Sequence, residues 1–437
     1  MRYDPIHSEL FRGNRTRFAE RMKPQSIAVF NANDVMPTSA DGTHRFVQQT
    51  DLFYLSGIDQ EETILVLFPD APEEKHREIL FVRETSDSIA IWEGHKHTKE
   101  TAAELSGIAS VHWTSEFDGM FAMLAVAAET IYLNANEHLR ADRTVETRDD
   151  RFIRRCKRRF PLHAYRRCAP ILEALRAVKT DAEIERIRRA CGITAGAFER
   201  VLGFIRPGVR EYEIEAELWH EFVRNGSRGP AYDPIVASGP DTCVLHYVKN
   251  DKVCRDGDLV LMDFGAEYAG YASDLTRTVP VNGRYSPRQR AVYDAVLRVQ
   301  RAAIAMLRPG TRLPEYQKAV GERTEAELID LGLLDRKDVA GQDPEKPLYR
   351  KFFMHGTSHH MGLDVHDYGN RYRPLEAGMV LTCEPGIYIR DEGIGVRIET
   401  DILVTEGDPV DLMADIPVEA EDIEGRMANR RTIPVRI

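Results

Sequence analysis

The chain has 437 residues, 43% of them hydrophobic, and a net charge of −11. That length exceeds one compact core, so two domains are expected. The acidic balance argues against a nucleic-acid partner, whose phosphates demand a basic face. The longest apolar runs, such as 64–68 and 259–262, are far too short to cross a bilayer, so no membrane partner is expected. The six cysteines (156, 168, 191, 243, 254 and 383) form no C-x-x-C pair and read as reduced thiols. The opening MRYDPIHSELFRGNRTRF has no apolar secretory segment, and the expected compartment is the cytoplasm.

In chain order, SIAVF (26–30), TILVLF (63–68), EILFV (78–82), IAIW (89–92) and TIYLN (130–134) read as short strands, apolar runs bounded by polar or turn residues. EFDGMFAMLAVAAE (116–129) reads as a helix with Ser115 as its cap. Strands alternating with helices predict an α/β layer domain over residues 1–172. The basic segment 151–167 reads as a solvated helix face paired with an acidic surface. A nucleic-acid patch is the bolder alternative, and the segment lacks the interleaved stacking aromatics that reading needs.

The texture changes from about 173, where a second domain is expected to run to 437. Residues 181–204 read as a helix capped by Asp181, with Ile184, Ile187, Cys191 and Thr194 or Ala195 on one face. Further helices are expected over 211–225 and 286–307, the latter with Pro287 in its first turn. R-P-G recurs at 206–208 and 308–310, each time after a helix, and hints at internal duplication. Residues 333–350 read as a surface loop or short helix.

The segment 259–281, LVLMDFGAEYAGYASDLTRTVPV, reads as a β-hairpin whose neighbouring strands carry Asp263 and Asp274. Aspartate is disfavoured within a strand, and burying one is costly unless it is paired or bound to metal. HGTSHHMGLDVHD (355–367) brings His355, His359, His360, His366 and Asp367 into one segment, with Gly356 and Gly362 allowing close backbone approach. The segments 379–389 and 393–405 read as two more strands, with Glu384 at a Pro-Gly turn and Arg397 and Glu399 on one face. For each acid alone, the plain alternative is a turn cap or an exposed charge. Together, Asp263, Asp274, His359, Glu384 and Glu399 form an oxygen-rich set with one imidazole, which predicts divalent metal. The ions favoured are Mn²⁺, with Co²⁺ or Zn²⁺ as alternatives. Two such ions about 3.5–4 Å apart can generate a hydroxide and stabilise an oxyanion. The chain shows no thiolate cluster, H-E-x-x-H helix, P-loop or G-x-S-x-G elbow.

DFGAEYAGYASDLTRT, HGTSHHMGLDVHD, EPGIY and VRIETD resemble the pita-bread metallopeptidases, and within them the Xaa-Pro aminopeptidases (the aminopeptidase P family). QQTDLFYLSG (48–57) and IWEG (91–94) extend a looser resemblance to the N-terminal half. The resemblance implies an α+β catalytic domain with pseudo-two-fold symmetry, behind an N-terminal α/β domain that serves oligomerisation and active-site access. It implies Asp263 as a terminal ligand of one metal, Asp274 and Glu399 as bridges, and His359 and Glu384 as ligands of the second. It also makes Glu384 a proton shuttle. His246, His355 and His366 become groups that hydrogen-bond substrate, and Arg397 an outer partner of the ligands. Tyr388 is implied beside a proline pocket, and Trp92 at a neighbouring subunit's site in a homodimer or homotetramer. His360 departs from the aromatic residue typical of relatives.

The activity implied is hydrolysis of an N-terminal Xaa–Pro peptide bond by a metal-bound hydroxide. A prolidase acting on Xaa-Pro dipeptides would use the same five ligands. A non-catalytic binding protein on the same scaffold is the reading of a different class, and the intact ligand set argues against it.

Overall fold

The computed structural model describes residues 2–142 and 144–429. They form two compact units, Asp4–Leu175 and a second that joins the residues ahead of Asp4 to those from Arg176 onward.

The first unit is built on six strands: β1 (Ser26–Asn31), β2 (Ile64–Leu67), β3 (Glu78–Val82), β4 (Ser110–Trp113), β5 (Thr130–Leu133) and β6 (Ala164–Arg167). Their order is β4-β3-β2-β1-β5-β6, antiparallel across β1·β2 and β2·β3 and parallel elsewhere. β1 and β2 are buried along their whole length, which is why their sequences are continuous apolar runs rather than alternating ones. Helices α1 (Ser8–Ala19), α2 (Thr50–Ser56), α3 (Asp87–Glu93), α4 (Lys99–Ser106), α5 (Phe117–Val126) and α6 (Arg148–Arg159) complete it, and α7 (Ala169–Ala177) leads out. Phe81, Phe117, Phe121, Phe152 and Phe160 interlock in the core.

Two expectations fail here for local reasons. IAIW (89–92) is helical within α3: the Ser86 hydroxyl accepts the Ile89 N–H (3.3 Å) and starts a helix, and Ile91 and Trp92 stay 79% and 85% exposed. An apolar run with no sheet position to fill follows its cap. Ser115 does not cap α5, because its hydroxyl donates to Glu84 and the helix begins through a 3₁₀ turn. The basic segment is largely α6, and Arg151, Arg154 and Arg155 pair with Asp34, Glu146 and Asp118, as a solvated face does.

The second unit runs one path twice. Helix α8 (Asp181–Phe204), the first R-P-G, α9 (Glu211–Arg224) and β7 (Ile235–Ser238) lead to β8 (Leu259–Phe264). A small hairpin, β9 (Glu267–Tyr268) and β10 (Tyr271–Ala272), then turns the chain into β11 (Leu275–Pro280). Next, α10 (Pro287–Met306), the second R-P-G, α11 (Leu313–Asp330) and the short α12 (Arg336–Ala340) lead to β12 (Val380–Cys383). The strands β13 (Gly386–Ile389), β14 (Ile394–Arg397), β15 (Thr400–Leu403) and β16 (Val410–Asp411) precede α13 (Ala420–Ala428). The glycines of both R-P-G turns have left-handed φ, +95° and +92°. Their N–H groups donate to Cys254 and Leu375 (2.9 Å each), shortly ahead of β8 and β12. Two three-stranded sheets result, β11-β8-β7 and β12-β15-β16.

Asp181 is not the cap of α8. Thr180 is, with Glu183 returning to the Thr180 N–H, so the exposed Asp181 only adds charge to the first turn. The two long strands expected over 379–389 and 393–405 are each broken into two. Pro385 cannot donate to a ladder, so β12 ends at Cys383, and between β14 and β15 the Glu399 N–H turns to the Thr276 carbonyl (3.0 Å). Both breaks fall at candidate ligands.

Gly265 follows β8 where the backbone of Ser273 crosses it. A Cβ there would lie 1.7 Å from the Ser273 carbonyl oxygen. Gly265→Ala is expected to lower the stability of this unit by about 3 kcal/mol in chemical denaturation, the cost of overpacking against backbone. A loss under about 1 kcal/mol would show that the crossing yields easily.

Candidate metal centre

The repeat places the acids in equivalent positions. Asp263 lies near the end of β8 and Glu384 just past the end of β12, while Asp274 and Glu399 immediately precede the return strands β11 and β15. Four apolar residues, Leu259–Met262, are buried ahead of Asp263 and fix its strand in the core, so the carboxylate emerges where the core ends.

All five predicted ligands come together. Carboxylate oxygens of Asp274 and Glu399 and a ring nitrogen of His359 lie within 4.8 Å of one another. His359 Nε2 is 3.5 Å from Asp274 Oδ2 and 3.8 Å from Glu384 Oε1. Asp263 joins through Tyr232, whose hydroxyl lies 2.6 Å from Asp263 Oδ1 and 2.5 Å from Asp274 Oδ1. Arg397 donates from Nη2 to Asp263 Oδ2 (2.5 Å) and from Nε to the Thr276 hydroxyl (3.0 Å), which itself donates to Glu399 Oε2 (2.6 Å).

Charge in this cluster is unbalanced. Burial, then the charges of Asp274, Glu384 and Asp263, push the Glu399 carboxyl well above the carboxylate range. Burial raises Glu384 to about 7, against the pull of His359 and Arg397. Asp263 is also raised, by burial that Arg397 only partly offsets. Burial alone would lower His359, but the Asp274 hydrogen bond and the Glu384 and Asp274 charges outweigh it and hold the ring up at about 9. Four carboxylates thus face two cationic side chains. Divalent cations fit this donor set, since hard oxygens with one imidazole suit them and their charge removes the repulsion.

His355 sits beside the cluster with its protons fixed by its neighbours. Arg397 Nη1, a pure donor, gives to the Tyr388 oxygen (3.0 Å). The Gly356 carbonyl, which can only accept, takes the ring proton of His355 on Nδ1 (2.8 Å), so Nε2 accepts the Tyr388 hydroxyl (2.8 Å). Burial, and then the Arg397 charge, lower His355 to about 3, so the ring is neutral. The His366 ring lies 4.1 Å from that of His359. His246 is exposed, on the loop after β7, close enough that its charge also lowers His355. His360 is buried and packs on Gly369, beside Lys179 and Asp367.

Some expectations need correction. Tyr388 does not wall an open pocket: it is 1% exposed, behind His355 and Arg397. Trp92 lies in the first unit, where its segment was expected, and is exposed on α3. Gly362 is required, since a Cβ there would meet Asp367 Oδ2 at 2.2 Å, but Gly356 has open space. Sequence reasoning missed Tyr232, which lies in a Gly-Pro loop with no periodic signal. It also missed Asp401, buried at the start of β15, whose Oδ2 accepts the Asp274 N–H (3.0 Å). A second acid in VRIETDILV was the available clue. Tyr316 and Gln317 of α11, which hold Ser358 (3.2 Å) and Thr357 (2.8 Å) ahead of His359, left no sequence trace.

The metallopeptidase family M24 profile matches residues 185–406, and the aminopeptidase P N-terminal domain profile matches residues 11–132. The chain belongs to metallopeptidase family M24. It is 37% identical to the Xaa-Pro aminopeptidase of Escherichia coli (strain K12), over 98% of this chain and 99% of that one. It is 33% identical to Xaa-Pro aminopeptidase 3 of Homo sapiens, over 92% and 80% respectively. A zinc-substituted Escherichia coli aminopeptidase P in complex with product matches with a TM-score of 0.88 at 36% identity, covering 98% of this chain and 100% of that one. As an M24 metallopeptidase the chain is a metal-dependent peptidase built for divalent ions. Among the described residues, no helix is long and apolar enough to cross a membrane.

Two outcomes follow from this M24 centre. A divalent cation at about 100 times its Kd should add about 2.7 kcal/mol of stability, read as a rise in Tm, and Glu399→Ala should lose that gain. Identical melts with and without chelator would show that the cluster holds no cation. Tyr388→Phe cuts the link between Arg397 and His355, and peptidase kcat/KM should fall about 10- to 100-fold with bound metal unchanged. Wild-type rates would detach Tyr388 from the chemistry.

Proposed function

We infer that the chain removes the first residue from peptides whose second residue is proline, by hydrolysing the Xaa–Pro bond. The convergence of Asp263, Asp274, His359, Glu384 and Glu399 carries this reading. Its support is end-to-end similarity to proteins named Xaa-Pro aminopeptidase. The five side chains would hold two divalent cations. The oxygen-rich set favours Mn²⁺, with Co²⁺ and Zn²⁺ as alternatives. Bound there, the cations supply a hydroxide nucleophile at neutral pH and positive charge for the developing oxyanion.

The chain's own residues do the rest. Glu384, at a strand end, takes a proton from the attacking water and passes it to the departing proline nitrogen. That nitrogen carries no hydrogen in the peptide, so it leaves only when protonated, and proline is selected by ring shape rather than by a donor. His246 and His366 hydrogen-bond the substrate around the scissile carbonyl, and His355 joins them by giving its Nδ1–H to substrate in place of the Gly356 carbonyl. Arg397 pairs with Asp263 and, through Tyr388, reaches His355. The catalytic domain spans 173–437. Residues 1–172 serve oligomerisation and access, with Trp92 offered to a neighbouring subunit of a cytoplasmic homodimer or homotetramer.

The test is product analysis of Mn²⁺-loaded protein on an Xaa-Pro dipeptide and an Xaa-Pro-Yaa-Zaa peptide, with chelator and Asp263→Ala as controls. Release of Xaa from the longer peptide, lost in both controls, is the expected result. Cleavage of the dipeptide alone would make the protein a prolidase. Activity on neither, with no bound metal, would leave a binding protein.

A further inference from the structure

The loop between β7 and β8 carries His246, and its start, middle and end meet on one side chain. Glu211, in the first turn of α9, is fully buried. Its Oε1 accepts the Ser238 N–H (2.8 Å) and the Ser238 hydroxyl (2.6 Å), at the start of the loop. Its Oε2 accepts the Tyr247 hydroxyl (2.8 Å) and the Lys252 N–H (2.9 Å), in the middle and near the end. The Glu211 N–H returns to the Lys252 carbonyl (2.9 Å). Several donors on one carboxylate make its burial tolerable and fix it rigidly.

Asn250 adds a second tether. Its side chain accepts the Val236 N–H (3.0 Å) and donates to the Pro234 carbonyl (2.8 Å), so it pairs with the edge strand β7 as another strand would. Between these ties the loop alternates. Leu245 and Tyr247 pack on Ile235, Ala237, Cys243, Leu261 and Tyr388, while His246 and Val248 face out. Tyr388 is the residue that bonds His355 and Arg397, so the inward face of the loop rests on the back of the site. Burial and the Glu211 carboxylate both push the Tyr247 hydroxyl up, which keeps it protonated and donating.

We propose that Glu211 and Tyr247 are positioning residues: Glu211 closes the 239–251 loop and, through Tyr247, holds His246 toward the substrate. This rests on the peptidase reading above. The two inward neighbours fix which way His246 points, and Tyr247 stays inward because its hydroxyl is held by a charge that cannot move.

The experiment compares Tyr247→Phe, Glu211→Gln, His246→Ala and the Tyr247→Phe/His246→Ala double variant on an Xaa-Pro-Yaa-Zaa peptide, in metal-loaded protein, with amide hydrogen exchange read in parallel. Tyr247→Phe should lower kcat/KM about tenfold, the loss of one hydrogen bond to a charged group. It should divide between kcat and KM as His246→Ala does, and should add nothing in the His246→Ala background. Exchange over 239–252 should rise in Tyr247→Phe and Glu211→Gln, with β8 and β11 unchanged. Should Glu211→Gln fail to fold, Tyr247→Phe alone carries the test. Fully additive losses, unchanged loop exchange, or wild-type kinetics in His246→Ala would each overturn the inference while leaving the peptidase reading intact. A wild-type protein that cleaves no such peptide would sink that reading, and this inference with it.

Discussion

Four carboxylates converge at the end of one hydrophobic core, and their mutual repulsion is the constraint around which the second unit is arranged. Burying one ionised carboxylate is expensive, and burying several together without compensation is more so. Arg397 answers part of the charge at Asp263, and His359 part of it at Asp274 and Glu384. The raised Glu399, Glu384 and Asp263 carboxyls show that these two are insufficient. Divalent cations would make up the deficit, which is why this donor set suits a metal-dependent peptidase.

Duplication makes the convergence affordable to build. Each half delivers one acid at the end of a strand and a second at the start of the return strand. The paired positions are Asp263 with Glu384, and Asp274 with Glu399. Only the second half adds the histidine segment, inserted ahead of β12 and held by α11 through Gln317 and Tyr316. The strand breaks at Pro385 and Glu399 look like defects of sheet geometry, but they turn the backbone at the positions where acids must face inward.

A layer of neutral donors and acceptors controls orientation behind the acids. Tyr232 ties Asp263 to Asp274, Thr276 ties Arg397 to Glu399, and Tyr388 links Arg397 to His355. None of these groups carries charge, and each removes rotational freedom from one that does. Outer partners of this kind decide how well a metal centre is preorganised.

The five candidate ligands, the division into two units near residue 175 and the repeated helix–turn–helix path could all be picked out along the chain. An acid in an apolar strand is a local anomaly, and R-P-G is a local signal. IAIW, Ser115 and Asp181 misled because a cap or strand is decided by which neighbour competes for the same hydrogen bond, and Ser86, Glu84 and Thr180 won. The sequence alone determined which groups carry charge and where apolar segments end, since burial cost acts on every residue individually. Only the tertiary structure decided that Tyr232 and Asp401 join the centre, that Tyr388 lies behind it, and that Glu211 closes the His246 loop. Those roles depend on contacts between residues far apart in the chain, and hydrogen-bond direction has no periodicity to betray it.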